Sequence, residues 1–258
     1  MIVQPLYAVA GLLVGTLVGL TGVGGGSLMT PLLVLMFGFH PSVAVGTDLL
    51  YASVTKSVGS LVHGMRGSVD WRIVGLLAAG SVPAAGLCLW GLSSLGHPAE
   101  AAESLIKTVL GVVLLLTAIV LIFRDRLANW SRSHVVERSE GKTALLTIIL
   151  GVVIGAAVTL SSVGAGAIGA TALIFLYPRL PLGRIVGSDI AHAVPLTLIA
   201  GGGHWLMGSV DFTLLLSLLA GSIPGIIIGS MASSRVADHW LRPALAVTLA
   251  LVGSLLLF

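Results

Sequence analysis

Residues 11–27 read GLLVGTLVGLTGVGGGS, an apolar stretch that contains seven glycines, four of them from position 22 to position 26. Glycine costs about 1 kcal/mol relative to alanine inside a helix, so this many glycines in one hydrophobic segment need a structural reason. The spacing of Gly11, Gly15 and Gly19 is the small-xxx-small pattern by which membrane helices approach one another closely. The later glycines either continue that packing face or interrupt the helix where its backbone approaches a ligand.

The composition places this stretch in a membrane protein. Of the 258 residues, 56% are hydrophobic and 9% are charged, whereas a soluble domain carries about 25% charged residues. The apolar runs are continuous, which indicates helices, because the strands of a membrane barrel would alternate apolar and polar residues. Apolar runs of spanning length include 43–63, 71–92, 105–123, 142–160, 184–206, 212–231 and 240–258. We therefore expect an all-α, polytopic membrane protein.

The chain repeats itself at an offset of about 140 residues, which a search for internal repeats detects as four motif pairs in the same order. The pairs are GLLVGTLVGLTGVGGGS (11–27) with GVVIGAAVTLSSVGAGA (151–167), VGTDLL (45–50) with VGSDIA (186–191), HGMRGSVDW (63–71) with HWLMGSVDF (204–212), and LLAAGSVPAAGL (76–87) with SLLAGSIPGIII (217–228). Each half then contains five hydrophobic segments. The predicted organisation is a first membrane repeat at 1–123, a cytoplasmic connecting loop at 124–142 and a second membrane repeat at 143–258.

The distribution of cationic residues predicts how the two repeats are oriented. If each segment carries the chain across the membrane, eleven cationic residues lie on the same side of the membrane: Arg66, Arg72, Arg124, Arg126, Arg132, Arg138, Lys142, Arg179, Arg184, Arg235 and Arg242. Lys107 is alone on the other side, and Lys56 lies within a segment. By the positive-inside rule, the eleven lie in the cytoplasm and both termini lie outside the cell membrane. Because five is odd, the second repeat enters upside down, as in the inverted-topology repeats of many secondary transporters.

The segment after each glycine-rich stretch is too short to cross a bilayer. Residues 27–39 would form about 20 Å of helix, whereas the hydrocarbon core is about 30 Å thick. We therefore predict that 22–27 and 162–167 are breaks between half-helices inside the membrane, where free N–H groups and positive helix ends suit an oxyanion. The candidate binding residues at these breaks are Gly22, Gly24, Gly25, Gly26, Ser27, Ser161, Ser162, Gly164 and Gly166. The alternative is that these glycines serve helix packing alone.

Four ionisable residues fall within predicted membrane helices: Asp48, Lys56, Asp189 and His192. Such residues are costly in lipid and indicate either a function or a buried partner. Lys56 is a candidate to supply positive charge to an anionic substrate. Asp48, or Asp189 with His192, is a candidate to carry a proton or cation during coupling, and Asp189 and His192 are spaced to touch on a helix. The alternative is that these groups pair with each other and with backbone ends only to hold the helices in place.

Other matched residues are interpreted structurally. Asp70 and Asp211 each precede an apolar run and are expected to cap the following helix. His63 and His204 lie near predicted helix ends and are expected to be structural histidines at the membrane interface. Cys88 is the one cysteine, so an internal disulfide and a multi-cysteine metal site are excluded.

With the glycine-rich break, the matched halves and HGMRGSVDW in view, the chain resembles the sulfite exporter TauE/SafE family over nearly its whole length. The resemblance implies a permease of the inner membrane that needs no cofactor and that carries sulfur-containing anions such as sulfite, sulfoacetate and related organosulfonates. Carried over by motif, the family's site corresponds to residues 22–27 and 162–166.

The sequence therefore predicts an alternating-access secondary transporter for a small oxyanion, coupled to protons, with the cargo between the two breaks and close to Lys56. The expected partners are the anionic substrate and the lipid bilayer, with no nucleic acid, and a homo-oligomer is left open. Two other classes remain. One is a passive anion channel or a membrane subunit of a larger complex. The other is an intramembrane enzyme, for which the chain lacks H-E-x-x-H and a G-x-S-G setting.

Overall fold

The computed structural model describes residues 4–21, 26–62, 69–94, 100–133, 139–232 and 238–258. Within these ranges the chain forms helices and no strand, which confirms the all-α prediction. The helices are α1 (Pro5–Thr21), α2 (Gly26–Leu35), α3 (Pro41–Val62), α4 (Trp71–Ser94), α5 (Glu100–Ser133), α6 (Glu140–Ser161), α7 (Ala167–Leu176), α8 (Leu182–Leu206), α9 (Phe212–Ala232) and α10 (Asp238–Leu257).

The lengths of these helices fit a multi-pass membrane protein. Within the described ranges, five are long and apolar enough to cross a membrane: α4, α6, α8, α9 and the Glu100–Arg124 part of α5. By contrast, α2 and α7 have 10 residues each, about 15 Å of helix, which is half the thickness of a bilayer core. The short segments expected after each glycine-rich stretch are therefore present.

The helices of the two halves pack against each other. α1 packs along α9, α4 along α6, α3 against α8 and α5 against α10. α3 and α8 lie at the centre, because α3 also contacts α2, α5, α6 and α9, while α8 also contacts α4, α6 and α7. The buried apolar residues form clusters between these helices, such as the one that joins Met29 and Leu33 of α2 to Tyr51 of α3 and Leu218 of α9.

Glycines set the closest of these contacts. Gly11 lies against the backbone of Leu218 and Gly15 against that of Ser222, so both helices advance by four residues and α1 and α9 run parallel. Gly19 continues the same face, and a Cβ at any of the three would collide with α9. From the other side, three glycines of α9 lie against the α1 backbone: Gly221, Gly225 and Gly229. The packing interpretation therefore holds for the first three glycines of the opening stretch.

The polar stretch after residue 123 differs from its prediction. The sequence predicts a connecting loop over 124–142, but α5 continues through Ser133 and α6 begins at Glu140. The residues from 124 to 133 include neither proline nor glycine, so nothing local ends the helix where the apolar run stops. Residues 134–138 lie outside the described part of the chain.

Candidate functional site

The second glycine-rich stretch is a true interruption of helix. α6 ends at Ser161 and α7 begins at Ala167, so the predicted break is confirmed for 162–166, with residue 167 already helical. The backbone has positive φ at Ser162 (59°), Gly164 (118°) and Gly166 (126°). A φ above 100° is readily adopted only by glycine, which explains the glycine at 164 and 166. Ser162 and Gly164 are buried, so this irregular backbone lies inside the protein, as a break at membrane depth requires.

The first glycine-rich stretch is described only at its two ends. α1 ends at Thr21 and α2 begins at Gly26, and the predicted binding residues Gly22, Gly24 and Gly25 lie outside the described residues. Gly26 and Ser27 belong to the first turn of α2 rather than to a break. Ser27 is buried, so the half-helix that follows the stretch begins inside the protein.

The two serines of the second break differ in their hydrogen bonds. Ser161 Oγ donates to Ala157 O at 2.6 Å within its own helix and accepts the N–H of Val163 at 3.2 Å. It therefore ends α6 and is engaged locally. Ser162 Oγ is buried and makes no such local bond among the described residues; it faces the Asp48 carboxylate instead.

Asp48 joins the second break to the first half of the chain. Its side chain is fully buried on α3, and Thr30 of α2 donates a hydrogen bond to its Oδ2 atom. The hydroxyl group of Ser162 lies against the same carboxylate. The Oδ1 atom of Asp48 has no partner within the described part of the chain. Three elements that are distant in sequence therefore meet at one carboxylate.

Asp189 of α8 packs against the start of α7. Its Oδ1 atom is so close to Gly169 that a Cβ there would collide with it, and its carboxylate faces the backbone of Gly166. A negative side chain at the N-terminal end of a helix is favourable, because that end carries partial positive charge. The helix end that the sequence assigns to a substrate oxyanion thus already faces a carboxylate of the chain. This contact is of the kind that the structural alternative describes, in which the aspartates pair with backbone ends.

His192, which the helical spacing places near Asp189, has its hydrogen-bond partner in another helix. Its Nε2 atom is 2.8 Å from Ser81 Oγ of α4, and both His192 Nδ1 and Asp189 Oδ1 lack a partner in the described ranges. In the other half, Tyr51 follows Asp48 by three residues, as His192 follows Asp189, and Tyr51 faces Ser222 of α9. The motif pair GSVP and GSIP carried a signal for Ser81 and Ser222, which the sequence interpretation did not use.

Lys56 occupies the middle of this polar interior. It is half-buried on α3 and lies within electrostatic reach of both Asp48 and Asp189, and also of His192. Arg124 of α5 is a second cation within reach of Asp189. The structure therefore brings together the four ionisable residues that the sequence singles out, with Lys56 within reach of the other three. We call this group the central layer: Asp48, Lys56, Asp189 and His192.

Matched hydroxyl groups connect the halves at the rim of this interior. Thr47 Oγ1 accepts the N–H of Asp211 at 3.0 Å, and Ser188 Oγ accepts the N–H of Asp70 at 2.8 Å. Asp211 Oδ1 in turn accepts the N–H of Leu214 at 2.9 Å. At the start of α4, Asp70 Oδ1 accepts the N–H of Arg72 at 3.1 Å. The capping role predicted for both aspartates is confirmed.

The histidine pair is described in one half. His204 is buried, with its Nε2 atom 2.9 Å from Thr159 O of α6. It is therefore a structural residue, buried in the protein in the last turn of α8. His63 lies outside the described residues.

Comparison with known proteins adds the family. The family model described as Sulfite exporter TauE/SafE matches residues 7–256. The chain belongs to this family. The probable membrane transporter protein YjnA of Bacillus subtilis is 44% identical over 246 residues, which are 94% of this chain and 95% of the relative. The probable membrane transporter protein YdhB of the same organism is 27% identical, over 95% of this chain and 97% of the relative.

A probable membrane transporter protein of Xylella fastidiosa is 28% identical, over 88% of this chain and 83% of the relative. No solved structure matches the chain. The family and the apolar helices together establish this TauE/SafE protein as a multi-pass membrane transporter.

Proposed function

We propose that this transporter is an alternating-access permease for a small sulfur-containing oxyanion, such as sulfite or an organosulfonate. The observation that carries the proposal is the buried helix break at 162–166, where the N-terminal end of α7 faces Asp189 and Asp189 lies within electrostatic reach of Lys56. Hydroxyl groups, helix N-terminal amides and an ammonium group are the donors that bind compact oxyanions in proteins. The suggested cargo follows the family to which the chain belongs.

The position of Asp189 suggests how transport is coupled. Its carboxylate faces Gly166 at the start of α7, so an incoming oxyanion competes with it for the same positive helix end. A proton or other cation taken up at the aspartates removes that competition and favours anion binding. By linkage, the anion then favours binding of the cation to the same degree. His192 lies three residues after Asp189 on α8, and its Nδ1 atom has no hydrogen-bond partner within the described ranges.

The contacts between the central helices support an inverted repeat. Gly46 of α3 faces His204 and Leu50 faces Gly201, so the partner number falls as the number along α3 rises. The equivalent helices α3 and α8 therefore cross in an antiparallel sense. Two inverted repeats would let the halves rock around the central layer and expose it to each side in turn. In this proposal both termini lie outside the cell membrane, opposite the eleven cationic residues.

The proposal is tested by transport into proteoliposomes that contain the purified full chain. Lys56→Gln is expected to lower the initial rate of labelled sulfite or organosulfonate transport by more than about tenfold, because a charged hydrogen-bond donor to the anion is lost. Lys107→Gln is the matched control, because it removes the same charge from an exposed position on α5. Its rate is expected to equal that of the wild type.

Three outcomes contradict the proposal. Wild-type rates in Lys56→Gln would remove the assigned site. Flux that does not saturate with substrate concentration would identify a passive channel. A change in the mass of the substrate during incubation would identify an enzyme, because a transporter leaves its cargo unchanged.

A further inference from the structure

We propose that Asp48, Thr30 and Ser162 form a sodium-ion site. The inference deepens the proposed function, on which its role in coupling rests, because it identifies the cation that accompanies the anion. It concerns the C-terminal end of α6, where Ser162 meets α3, whereas the anion is assigned to the opposite side of the same break.

The first argument is the set of oxygen atoms. Asp48 is 0% exposed and Ser162 is 7% exposed, and both Asp48 Oδ1 and Ser162 Oγ lack a hydrogen-bond partner among the described residues. The Ser162 hydroxyl lies against the Asp48 carboxylate, and buried oxygen atoms that are incompletely hydrogen-bonded are costly, so a cation between them would supply the contacts that both lack. Thr30 Oγ1 contacts the other oxygen of the same carboxylate. Carboxylate and hydroxyl oxygens together form a ligand set suited to a hard cation.

The second argument is the geometry of the break. α6 ends at Ser161, and Ser162 turns the chain with φ 59°. The C-terminal end of a helix carries partial negative charge, and at α6 two of the last carbonyl groups have partners, since Val158 O accepts the N–H of Ser162 and Thr159 O lies 2.9 Å from His204 Nε2. In transporters with broken helices, such C-terminal ends and unwound carbonyl groups coordinate the coupling ion. The end of α6 therefore adds to the attraction that Asp48 exerts on a cation.

The third argument is the balance of charge. Asp189 has two cations within electrostatic reach, Lys56 and Arg124. Of the described residues, Lys56 is the cation within reach of Asp48, so two carboxylates share it. Asp48 therefore has less positive charge around it than Asp189, which favours Asp48 over Asp189 as the place of an added cation. No cluster of three His, Cys, Asp or Glu side chains exists in the described ranges, so the ligand set does not suit a transition metal.

Sodium binding would raise the affinity of the site for the anion. A positive ion at Asp48 releases Lys56 from one of its two carboxylate neighbours and adds positive charge to the interior layer. An anion near Lys56 then binds more tightly, and it raises the affinity for sodium by the same factor. A sodium gradient would thus drive the cargo across the membrane.

The site is tested by sodium binding to the purified full chain, in the absence of any anion substrate. Labelled sodium is titrated against the wild type, Asp48→Asn and Ser162→Ala, with choline keeping the ionic strength constant. We expect saturable binding to the wild type, a loss of affinity of more than about tenfold in Asp48→Asn, and a smaller loss in Ser162→Ala. Sodium is also expected to raise the Tm of the wild type, since a ligand that binds the native state stabilises it.

The control variant is Thr117→Val. Thr117 is buried on α5, and its hydroxyl donates to Val113 O within the same helix at 2.7 Å. This variant is expected to bind sodium as the wild type does. Ser162→Ala keeps the test informative if Asp48→Asn does not fold. Absence of saturable sodium binding to the wild type, or wild-type affinity in both site variants, would overturn the proposal.

Transport measurements separate this inference from the function on which it rests. Transport of the anion that is driven by a proton gradient, in a protein that binds no sodium, refutes the sodium site and leaves the permease. Sodium binding that depends on Asp48, in a protein that moves neither sulfite nor a sulfonate, supports the site and refutes the proposed cargo.

Discussion

At the scale of single residues, the hydroxyl that precedes each buried aspartate has its own structural role. Thr47 and Ser188 do not face the central layer; they hold the backbone of Asp211 and Asp70 at the start of a helix in the other half. The hydroxyl thus positions the loop before α9 or α4, and the next residue, Asp48 or Asp189, projects into the interior. This division of labour explains why the same two residue types occur together in both halves.

Removal of one such hydroxyl should destabilise the protein. Thr47→Val is expected to lower the free energy of unfolding by about 1–3 kcal/mol, because the Asp211 N–H loses its acceptor in a part-buried position. The measurement is thermal unfolding of the purified protein in detergent. Thr117→Val removes a hydroxyl that bonds only its own helix and is expected to change stability much less. Equal losses in the two variants would show that the bond between the halves contributes nothing specific.

At the scale of helices, glycine has two separate uses in one stretch of chain. On α1 and α9 it is a packing residue, because the facing backbones are too close to admit a Cβ. At 164 and 166 it is a conformational residue, because the backbone there has positive φ. The second use separates α6 from α7 and leaves α7 with 10 residues, so that a helix begins in the interior. The two explanations that the sequence leaves open therefore apply to different glycines.

A matched pair of alanine substitutions distinguishes the packing glycines from ordinary ones. Gly15→Ala should destabilise the protein and slow transport, because its Cβ would collide with the backbone and side chain of Ser222. Gly75 on α4 has no atom within 4 Å of the position of a Cβ. Gly75→Ala is therefore expected to be neutral or to stabilise by up to about 1 kcal/mol, from helix propensity alone. Thermal unfolding measures both, and a neutral Gly15→Ala would contradict the close packing of α1 on α9.

At the scale of the whole molecule, each half depends on the other for its packing. α1 buries its glycine face on α9 rather than within its own half, and α6 lies along α4 in the same way. The ion pair between Arg72 and Glu140, at 3.0 Å, also joins the starts of α4 and α6. It is exposed, so it contributes little to stability. The interface between the halves is thus the core of the protein, and the central polar layer lies within it.

The orientation of the halves can be measured by labelling single cysteines with a reagent that does not cross membranes. In a Cys88→Ser background, Gln4→Cys and Phe258→Cys are expected to react in intact cells. Gly141→Cys is expected to react only after the membrane is permeabilised, because it lies near the cationic cluster. All three positions are exposed. Labelling of positions 4 and 141 from the same side would refute the inverted arrangement.

The sequence by itself determines the helices, the second helix break and the caps at Asp70 and Asp211, because each depends on local residues. Apolar runs predict the helices, positive φ accounts for the glycines of the second break, and Asp70 and Asp211 cap the helices that they precede. Each of these features depends on residues within a few positions of one another. The extension of α5 through Ser133 was missed, because the end of an apolar run marks the membrane surface and not the end of a helix.

Only the tertiary structure decided the partners of the polar groups. Thr47 bonds a residue 164 positions away, and His192 bonds Ser81, 111 positions away, instead of its neighbour Asp189. The packing of α3 against α9 creates the first pair, and the packing of α4 against α8 creates the second. Sequence spacing restricts which side chains share a helix face, but the partner across the interface depends on how two helices pack, and that is a property of the folded chain.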